Sequence, residues 1–276
     1  MIELTDEILR KVIKKRKKDS YKGTYRRLLV IGGNAQYGGT AILATTSAVY
    51  SGAGLVSVAL AKENHGALHA RLPEAMTIDF DDLSALREVA KSADVIVIGP
   101  GLGLERLDLL TEVLNLLTEK QKLVIDGSAL TLFAKEQLSL PYPQNTIFTP
   151  HEMELERLSS LKIGQQTKEA LQDFVNQEGA IIVAKSSETR IFSPNQENFI
   201  LKIGLPAQAT GGMGDTLAGM IGGFLAQFHG ETRETVAAAT YLHSLIASHL
   251  AKKAYVVLPS RLIEEIPLFM KKYECG

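Results

Sequence analysis

Short runs of aliphatic and β-branched residues alternate along the chain with longer segments whose apolar residues recur at helical spacing. The runs predict strands at 27–32, 55–60, 94–99, 122–127, 145–149 and 180–184. The segments between them predict helices at 39–51, 82–91, 104–119, 151–159 and 167–178. Strands that are apolar on both faces, with helices between them, are typical of a mostly parallel sheet covered on both sides. The pattern therefore predicts a three-layer α/β/α fold.

The last third of the chain has a different pattern. The stretches "TRIFS" (189–193) and "ENFIL" (197–201) predict an antiparallel hairpin across the turn "PNQ". Helical spacing then predicts two long helices at 215–228 and 232–252, and a short one at 261–271. No long linker or repeat divides the sequence, so we expect a single domain over 1–276.

Four of the predicted strands end in polar or glycine-rich loops. These are "GGN" at 32–34, "GPGLG" at 99–103, "DGS" at 126–128 and "TPH" at 149–151. Any one of them is explained by ordinary turn chemistry. Ligands of open α/β sheets, however, bind beyond the carboxyl ends of the strands, so four such loops together predict the walls of a binding site.

Charge and cysteine content narrow the class of protein. The formal net charge of −1 gives no electrostatic case for a nucleic-acid partner. The single cysteine, Cys275, allows no intrachain disulfide and fits a reducing cytoplasm. The first twenty residues lack the apolar stretch of a secretory signal, and no apolar run reaches the length of a membrane span. We expect a cytoplasmic protein, and we interpret the basic run 14–18 as a solvated helix face.

A single acidic residue, Asp215, lies among glycines and small apolar residues in "ATGGMGDTLAGMIGGFLAQF". Glycines before a helix allow backbone N–H groups to point at an anion, which the helix dipole also favours. The alternative is that Asp215 caps its own helix. Capping leaves Gly211, Gly212 and Gly214 unexplained, so the glycines favour a phosphate site with Asp215 beside it.

The segment "GGMGDTLAG" resembles the G-x-G-D motif of the ribokinase-like superfamily. Other stretches resemble one branch of it, the ADP/ATP-dependent NAD(P)H-hydrate dehydratases: "YGGTAILATTSAVYSGAGLVSVAL", "LPEAM", "VIGPGLG", "TPHEMELERL" and "LHSLIASHLA". These matches occur in order over nearly the whole chain. The resemblance implies a ribokinase-like fold and an enzyme that removes water from hydrated NADH or NADPH. It also implies that ADP or ATP phosphorylates the ring hydroxyl, after which phosphate is eliminated.

The resemblance also implies roles for particular residues. Asp215 would be the catalytic base and would meet the hydrated cofactor together with Ala41, Gly103 and His151. The nucleotide would contact two segments, made up of Lys185, Ser186, Ser187, Glu188, Thr189 and of Gly212, Met213, Gly214. Mg²⁺ would come with the phosphates, without a set of protein ligands that the sequence reveals. We further expect a homo-oligomer.

The sequence departs from the family pattern in three places. Ser128 stands where a second acid is common, the usual Pro-Gly is missing after His151 although Glu154 keeps the following acid, and Met213 interrupts the glycines. Two alternatives therefore stay open. One is a kinase of the same superfamily that phosphorylates a vitamin-like alcohol, and the other is a nucleotide-binding protein with degenerate chemistry.

Overall fold

Ten strands form one sheet in the computed structural model, which describes residues 1–276. The strands are β1 (Ile2–Glu3), β2 (Arg27–Ile31), β3 (Leu55–Leu60), β4 (Met76–Asp79), β5 (Val95–Ile98), β6 (Lys122–Ile125), β7 (Thr146–Phe148), β8 (Ile181–Ala184), β9 (Arg190–Phe192) and β10 (Phe199–Ile200). Their order across the sheet is β1-β10-β9-β8-β7-β6-β5-β2-β3-β4. From β4 to β8 all neighbours are parallel, whereas β9 is antiparallel to both β8 and β10.

Eleven α-helices cover this sheet. They are α1 (Glu7–Val12), α2 (Gly38–Tyr50), α3 (His65–Arg71), α4 (Leu83–Ser92), α5 (Leu107–Leu116), α6 (Gly127–Lys135), α7 (Glu152–Ser159), α8 (Lys168–Glu178), α9 (Met213–Gln227), α10 (Thr232–Ala251) and α11 (Pro259–Tyr273). None of them is both long and apolar enough to cross a membrane.

The sheet separates two hydrophobic cores. Alternate residues of β2 enter opposite cores, with Leu28 and Val30 on one face and Leu29 and Ile31 on the other. The first core is closed by α1–α3 and α9–α11, and the second by α4–α8. This arrangement confirms the three-layer α/β/α prediction, whereas the single domain over 1–276 stays a prediction.

Helix α9 lies unusually close to α2 because both present small residues. A Cβ atom at Gly219 would lie 2.0 Å from the Ala44 carbonyl oxygen, and one at Gly223 would lie 2.6 Å from Ser51 Cβ. The hydroxyl of Ser47 crosses the contact and donates to the Thr216 carbonyl at 2.9 Å. The two glycines therefore set how closely α9 approaches α2.

The six predicted strands and the hairpin are confirmed, with small shifts at their ends, and several short elements were missed. The missed elements are β1, β4, α1, α3 and α6. The interpretation of the basic run 14–18 as a helix face was wrong, because α1 ends at Val12. Lys14 instead forms an isolated parallel β-bridge with Cys275, which connects this N-terminal segment to the C-terminal residues.

The strand order changes direction beside β2. Strands β3 and β4 lie to one side of β2, and β5 to β8 lie to the other. The chain therefore leaves β2 and β5 in opposite directions, and a crevice lies between the two loops that follow these strands. Their backbones are nevertheless in contact, since the Asn34 N–H donates to the Gly101 carbonyl at 2.8 Å. The loops that the sequence singled out all lie at this carboxyl edge of the sheet.

Candidate active site at the carboxyl edge of the sheet

The N-terminus of α9 has no side-chain cap. Its N-cap residue is Gly212, which has φ +94°, a conformation that favours glycine. Asp215 lies in the first turn and does not cap the helix. The capping alternative for Asp215 is therefore wrong, and the first backbone N–H groups of α9 lack an intrahelical partner, as in any open helix start.

Asp215 has a strongly perturbed acidity. Burial raises the pKa of its carboxyl to about 7, and the negative charge of Asp126 adds to the rise, while Lys185 opposes it. A carboxyl group with this pKa is a base poised for proton transfer near neutral pH. Perturbed values of this kind are common at active sites.

Lys185 connects the acidic residues around Asp215. Its ammonium nitrogen lies 2.8 Å from Asp126 Oδ1 and 4.0 Å from Glu154 Oε2. Burial disfavours the charged form, but Asp126 and Glu154 outweigh burial and hold the pKa of Lys185 above its ordinary value. A Cβ added at Gly214 would lie 3.1 Å from the same nitrogen. A fixed positive charge thus lies directly beside the open start of α9.

Asp126 is itself held in place by its neighbours. It follows β6 and is almost fully buried, and the Thr149 hydroxyl donates to its Oδ1 at 2.6 Å. Burial also raises the pKa of nearby Glu154, although Lys185 opposes this rise. Strands β6, β7 and β8 therefore each contribute one member of a buried charge cluster.

His151 caps α7. Its Nδ1 accepts hydrogen bonds from the N–H groups of Met153 and Glu154 at 3.2 and 3.4 Å, and Glu154 Oε2 accepts from the His151 N–H at 2.8 Å. Because Nδ1 is an acceptor, the neutral ring carries its proton on Nε2. The local capping role is thus real. Nε2 lies 3.5 Å from Glu154 Oε1 on a half-exposed side chain, so a ligand that accepts from Nε2–H would compete with this carboxylate.

A cavity of about 520 Å³ opens beside α9. Of the sequence-predicted residues it brings together Lys185, Ser186, Ser187, Thr189, Met213, Gly214 and His151. Its remaining walls come from the segment 204–209 and from one face of α10. Glu188, Gly212 and Asp215 do not line it, although they adjoin residues that do. A cavity of this size can hold a nucleoside.

The two remaining predicted residues, Ala41 and Gly103, follow the neighbouring strands β2 and β5, at the crevice beside β2. Ala41 is completely buried in the first turn of α2, so its methyl group offers no surface to a ligand. Gly103 has φ +92°, and a Cβ there would lie 2.3 Å from Glu105 Oε1. Asn34 Nδ2 donates to this Glu105 oxygen at 3.4 Å, which joins the two loops. The substrate role of both residues stays a prediction.

Sequence reasoning placed the loop 126–128 at the site but assigned no role to Asp126, and it missed Gln208 and His243. Asp126 carried a readable signal, since an acid that directly follows a parallel strand lies at the ligand-binding edge. Gln208 and His243 carried no such signal in the sequence, because only the fold shows that the turn of Gln208 and the helix face of His243 line one cavity.

The parallel sheet, the antiparallel strand β9 and the glycine-led helix at the carboxyl edge define a ribokinase-like fold. The fold agrees with a solved structure of a ribokinase-like superfamily protein from Enterococcus faecalis, with a TM-score of 0.97 and 49% identity over 99% of this chain and 96% of that one. It also agrees with an ADP/ATP-dependent NAD(P)H-hydrate dehydratase from Bacillus subtilis that was co-crystallised with ATP and Mg²⁺ (TM-score 0.86, 26% identity, 99% of both chains).

The family is also shown by sequence. A family model described as NAD(P)H-hydrate dehydratase matches residues 28–268, and the chain belongs to this family. It is 88% identical over 275 residues, and over the full length of both chains, to the ADP-dependent (S)-NAD(P)H-hydrate dehydratase of Lactococcus lactis subsp. lactis. The resemblance stated from the sequence motifs is confirmed.

Proposed function

We propose that this protein is an enzyme that dehydrates hydrated NADH or NADPH in a reaction coupled to cleavage of ADP or ATP. The observation that carries the proposal is Asp215, a carboxyl with a pKa of about 7 in the first turn of an uncapped helix. A base and an anion site at one helix start are what phosphoryl transfer to a hydroxyl group requires. The names of the relatives supply the substrate, and the name of the Lactococcus relative favours ADP and the (S) form.

In the first step, Asp215 takes the proton of the ring hydroxyl as that oxygen attacks the terminal phosphorus of the nucleotide. The oxygen–phosphorus bond forms while the bridging bond to the leaving AMP or ADP breaks. The N–H groups at the start of α9 and the ammonium of Lys185 stabilise the charge on the transferring phosphoryl group. Backbone positions 212–214 are therefore assigned to the phosphates.

In the second step, the lone pair of the ring nitrogen expels phosphate from the carbon that carried the hydroxyl. A proton then leaves the adjacent ring carbon to solvent, and the dihydropyridine is restored. Phosphate is a far better leaving group than hydroxide, which explains why a dehydration consumes a nucleotide.

The chain does not offer Mg²⁺ a cage of its own. No group of three or more potential metal ligands is present, and Lys185 occupies the two nearest carboxylates, Asp126 and Glu154. Mg²⁺ would therefore come with the substrate, held mainly by nucleotide phosphates and water, and would supply positive charge to the transferring phosphoryl group. No step above depends on it.

The ligands divide between two sides of Asp215. The cavity lined by Lys185, Ser186, Ser187, Thr189 and α9 takes the nucleotide, and the crevice near Ala41 and Gly103 takes the hydrated nicotinamide. His151 lies on the wall of the nucleotide cavity and offers Nε2–H to the substrate. The homo-oligomer and the cytoplasmic location stay predictions.

The test is to follow absorbance in the reduced-nicotinamide band while hydrated NADH or NADPH is mixed with ADP or ATP. We expect absorbance to return only when cofactor and nucleotide are both present, with one phosphate released per ring restored. Phosphorylation of a vitamin-like alcohol without elimination would favour the kinase alternative. Nucleotide binding without any turnover would favour degenerate chemistry.

A further inference from the structure

Asp126 stands at the N-cap position of α6, yet its side chain accepts no hydrogen bond from that helix. Aspartate is among the preferred N-cap residues because its carboxylate satisfies the free N–H groups of a helix start. Asp82 does this at the start of α4, where its Oδ1 accepts from the Ala85 N–H at 3.0 Å. The carboxylate of Asp126 makes its contacts with residues that follow β7 and β8 instead. Those contacts, and not capping, explain an acid at this position.

One oxygen of Asp126 accepts two hydrogen bonds. The hydroxyl of Thr149 donates to Oδ1 at 2.6 Å, and the ammonium of Lys185 donates to the same oxygen at 2.8 Å. Thr149 is completely buried and Asp126 is 2% exposed, so water competes little for these bonds. The hydroxyl has a single proton, and the Ile125 carbonyl, its other acceptor within reach, is farther away at 3.4 Å. Thr149 therefore orients the carboxylate, and the carboxylate orients the ammonium.

The ammonium of Lys185 is held beside the start of α9. A Cβ added at Gly214 would lie 3.1 Å from its nitrogen, and the proposed function assigns the nucleotide phosphates to this helix start. Glu154 Oε2 lies 4.0 Å from the nitrogen, which is beyond hydrogen-bond distance, so Asp126 is the partner that fixes it. A lysine side chain has many rotamers, and a charge stabilises a transition state best when it is already in place.

We propose that Asp126 and Thr149 are positioning residues for phosphoryl transfer, which act by holding the Lys185 ammonium at the start of α9. They touch no reacting atom and exchange no proton with the substrate. The inference rests on the proposed function and adds the two residues that place its fixed positive charge.

Steady-state kinetics of Asp126→Asn and Thr149→Val provides the first test. Each variant keeps the shape of its side chain and leaves the positive charge of Lys185 in the site. We therefore expect kcat to fall about tenfold or more, because small displacements of a positioned group lower the rate strongly, while KM for the nucleotide changes less than about threefold. Thr149→Ser restores the hydroxyl and should recover most of kcat.

Thr146→Val is the matched control. Thr146 is a buried threonine of β7 whose hydroxyl donates to the Tyr142 carbonyl, away from the charge cluster. This variant should keep the kcat of wild type. Thermal unfolding shows whether each variant is folded, and if Asp126→Asn is not, Thr149→Val and Thr149→Ser still decide the question.

A double variant tests whether the two residues act in series. Once asparagine replaces Asp126, the Thr149 hydroxyl has no carboxylate to orient. The kcat of the double variant should therefore match that of Asp126→Asn within about twofold. Losses that multiply would show that Thr149 acts independently of Asp126.

The pH profile separates a charge effect from a general loss of packing. Asp215 faces the charges of Asp126, Lys185 and Glu154, and after burial the charge of Asp126 contributes most to its raised pKa. Asp126→Asn should therefore shift the acidic limb of kcat/KM to lower pH. Thr149→Val keeps every charge and should lower kcat without moving the limb.

Labelling of Lys185 gives a readout that needs no turnover. Asp126 and Glu154 hold the pKa of Lys185 above its ordinary value, against the effect of burial. Brief acetylation with acetic anhydride, followed by mass spectrometry from about pH 8 to about pH 11, should modify Lys185 at lower pH in Asp126→Asn than in wild type. The exposed Lys253 of the same protein is the internal control and should react equally in both.

Three results would overturn the inference. They are a kcat within twofold of wild type in both single variants, losses that multiply in the double variant, and unchanged labelling of Lys185 in Asp126→Asn. In each of these cases nucleotide-dependent turnover by wild type would leave the proposed function intact. Wild-type protein that restores no hydrated cofactor with either nucleotide would instead refute the proposed function, and with it this role of the two residues.

Discussion

Helices α7 and α9 both begin at the carboxyl edge of the sheet, and their N-termini differ in one respect. The first N–H groups of α7 are satisfied within the chain, because His151 and Glu154 form a reciprocal capping box. Those of α9 follow Gly212 and receive no side-chain cap. A capped start is complete without a ligand, whereas an uncapped start beside Lys185 offers N–H groups and positive charge to an anion. The difference separates a helix start that orients one side chain from the helix start that we propose as the phosphate site.

The largest expected effect comes from the base at the uncapped start. Asp215→Asn preserves size and removes proton acceptance, so turnover should fall by a factor on the order of 10² or more. Steady-state kinetics measures the loss, and calorimetry should show that nucleotide binding survives. The matched control Asp173→Asn changes an exposed acid of α8 and should have no effect on turnover. Near-normal turnover in Asp215→Asn would remove the base from the mechanism.

The acidity of Asp215 also predicts a pH dependence. The base acts when deprotonated, so kcat/KM should rise with pH through about 7. Stability should change in the opposite sense. The unfolded carboxyl ionises near 4 and the folded one near 7, so folding loses stability as pH rises across that window.

Chemical unfolding at several pH values checks this second effect. Between pH 4 and pH 8, the free energy of unfolding of wild type should fall by on the order of 3 kcal/mol relative to that of Asp215→Asn, because each unit of pKa shift corresponds to about 1.4 kcal/mol. A pH-independent difference between the two proteins would show that the carboxyl is not perturbed by burial and by Asp126.

A negative charge placed near the start of α9 tests anion binding there. Gly211 is exposed, and a Cβ at this position meets nothing within 4 Å. Gly211→Asp should therefore fold normally and weaken nucleotide binding about tenfold through repulsion of the phosphates, less so at high salt. Gly211→Asn is the uncharged control and should bind as wild type does. Equal affinities for the two variants would mean that phosphate does not lie at this helix start.

The smallest effects are expected at α7. Asn is a good N-cap and lacks the ring, so His151→Asn should keep stability, while His151→Ala should lose about 1 kcal/mol. Both variants remove the Nε2–H donor and should raise KM for the hydrated cofactor several-fold, with the nucleotide affinity unchanged. Thermal unfolding and steady-state kinetics separate the two roles. A KM change in the Ala variant alone would assign His151 to capping only.

Sequence patterning identified the elements with strong periodicity and missed those defined by context. Strands β2, β3 and β5 were readable because each is a continuous aliphatic run buried on both faces. Strand β1 has two residues, and β4 lies at the sheet edge, where the apolar pattern is weak. Helix α6 was missed because Gly127, with φ +52°, resembles a loop residue although it opens the helix.

At the site, too, some features could be predicted from the sequence and others depended on the fold. The glycines before Asp215 and the motifs of the family indicated the phosphate end of the cavity from sequence alone. The distance between Lys185 and Asp126 could not be predicted, because they come from different strands. Ala41 is the opposite case, since its small side chain was expected to touch the ligand, the structure buries that side chain completely, and its substrate role stays a prediction.

The strand order has a consequence for how this chain folds during synthesis. Strand β2 lies inside the sheet and is made early, and β3 and β4 extend one edge while β5 to β10 extend the other in the order of translation. Each emerging strand can therefore dock onto an edge that already exists. The exception is β1, which is translated first but pairs with β10, where Ile2 lies opposite Phe199. At about 5–20 residues per second, β1 waits on the order of ten seconds or more for its partner. Its length of two residues limits the edge that is exposed to other nascent chains in the meantime.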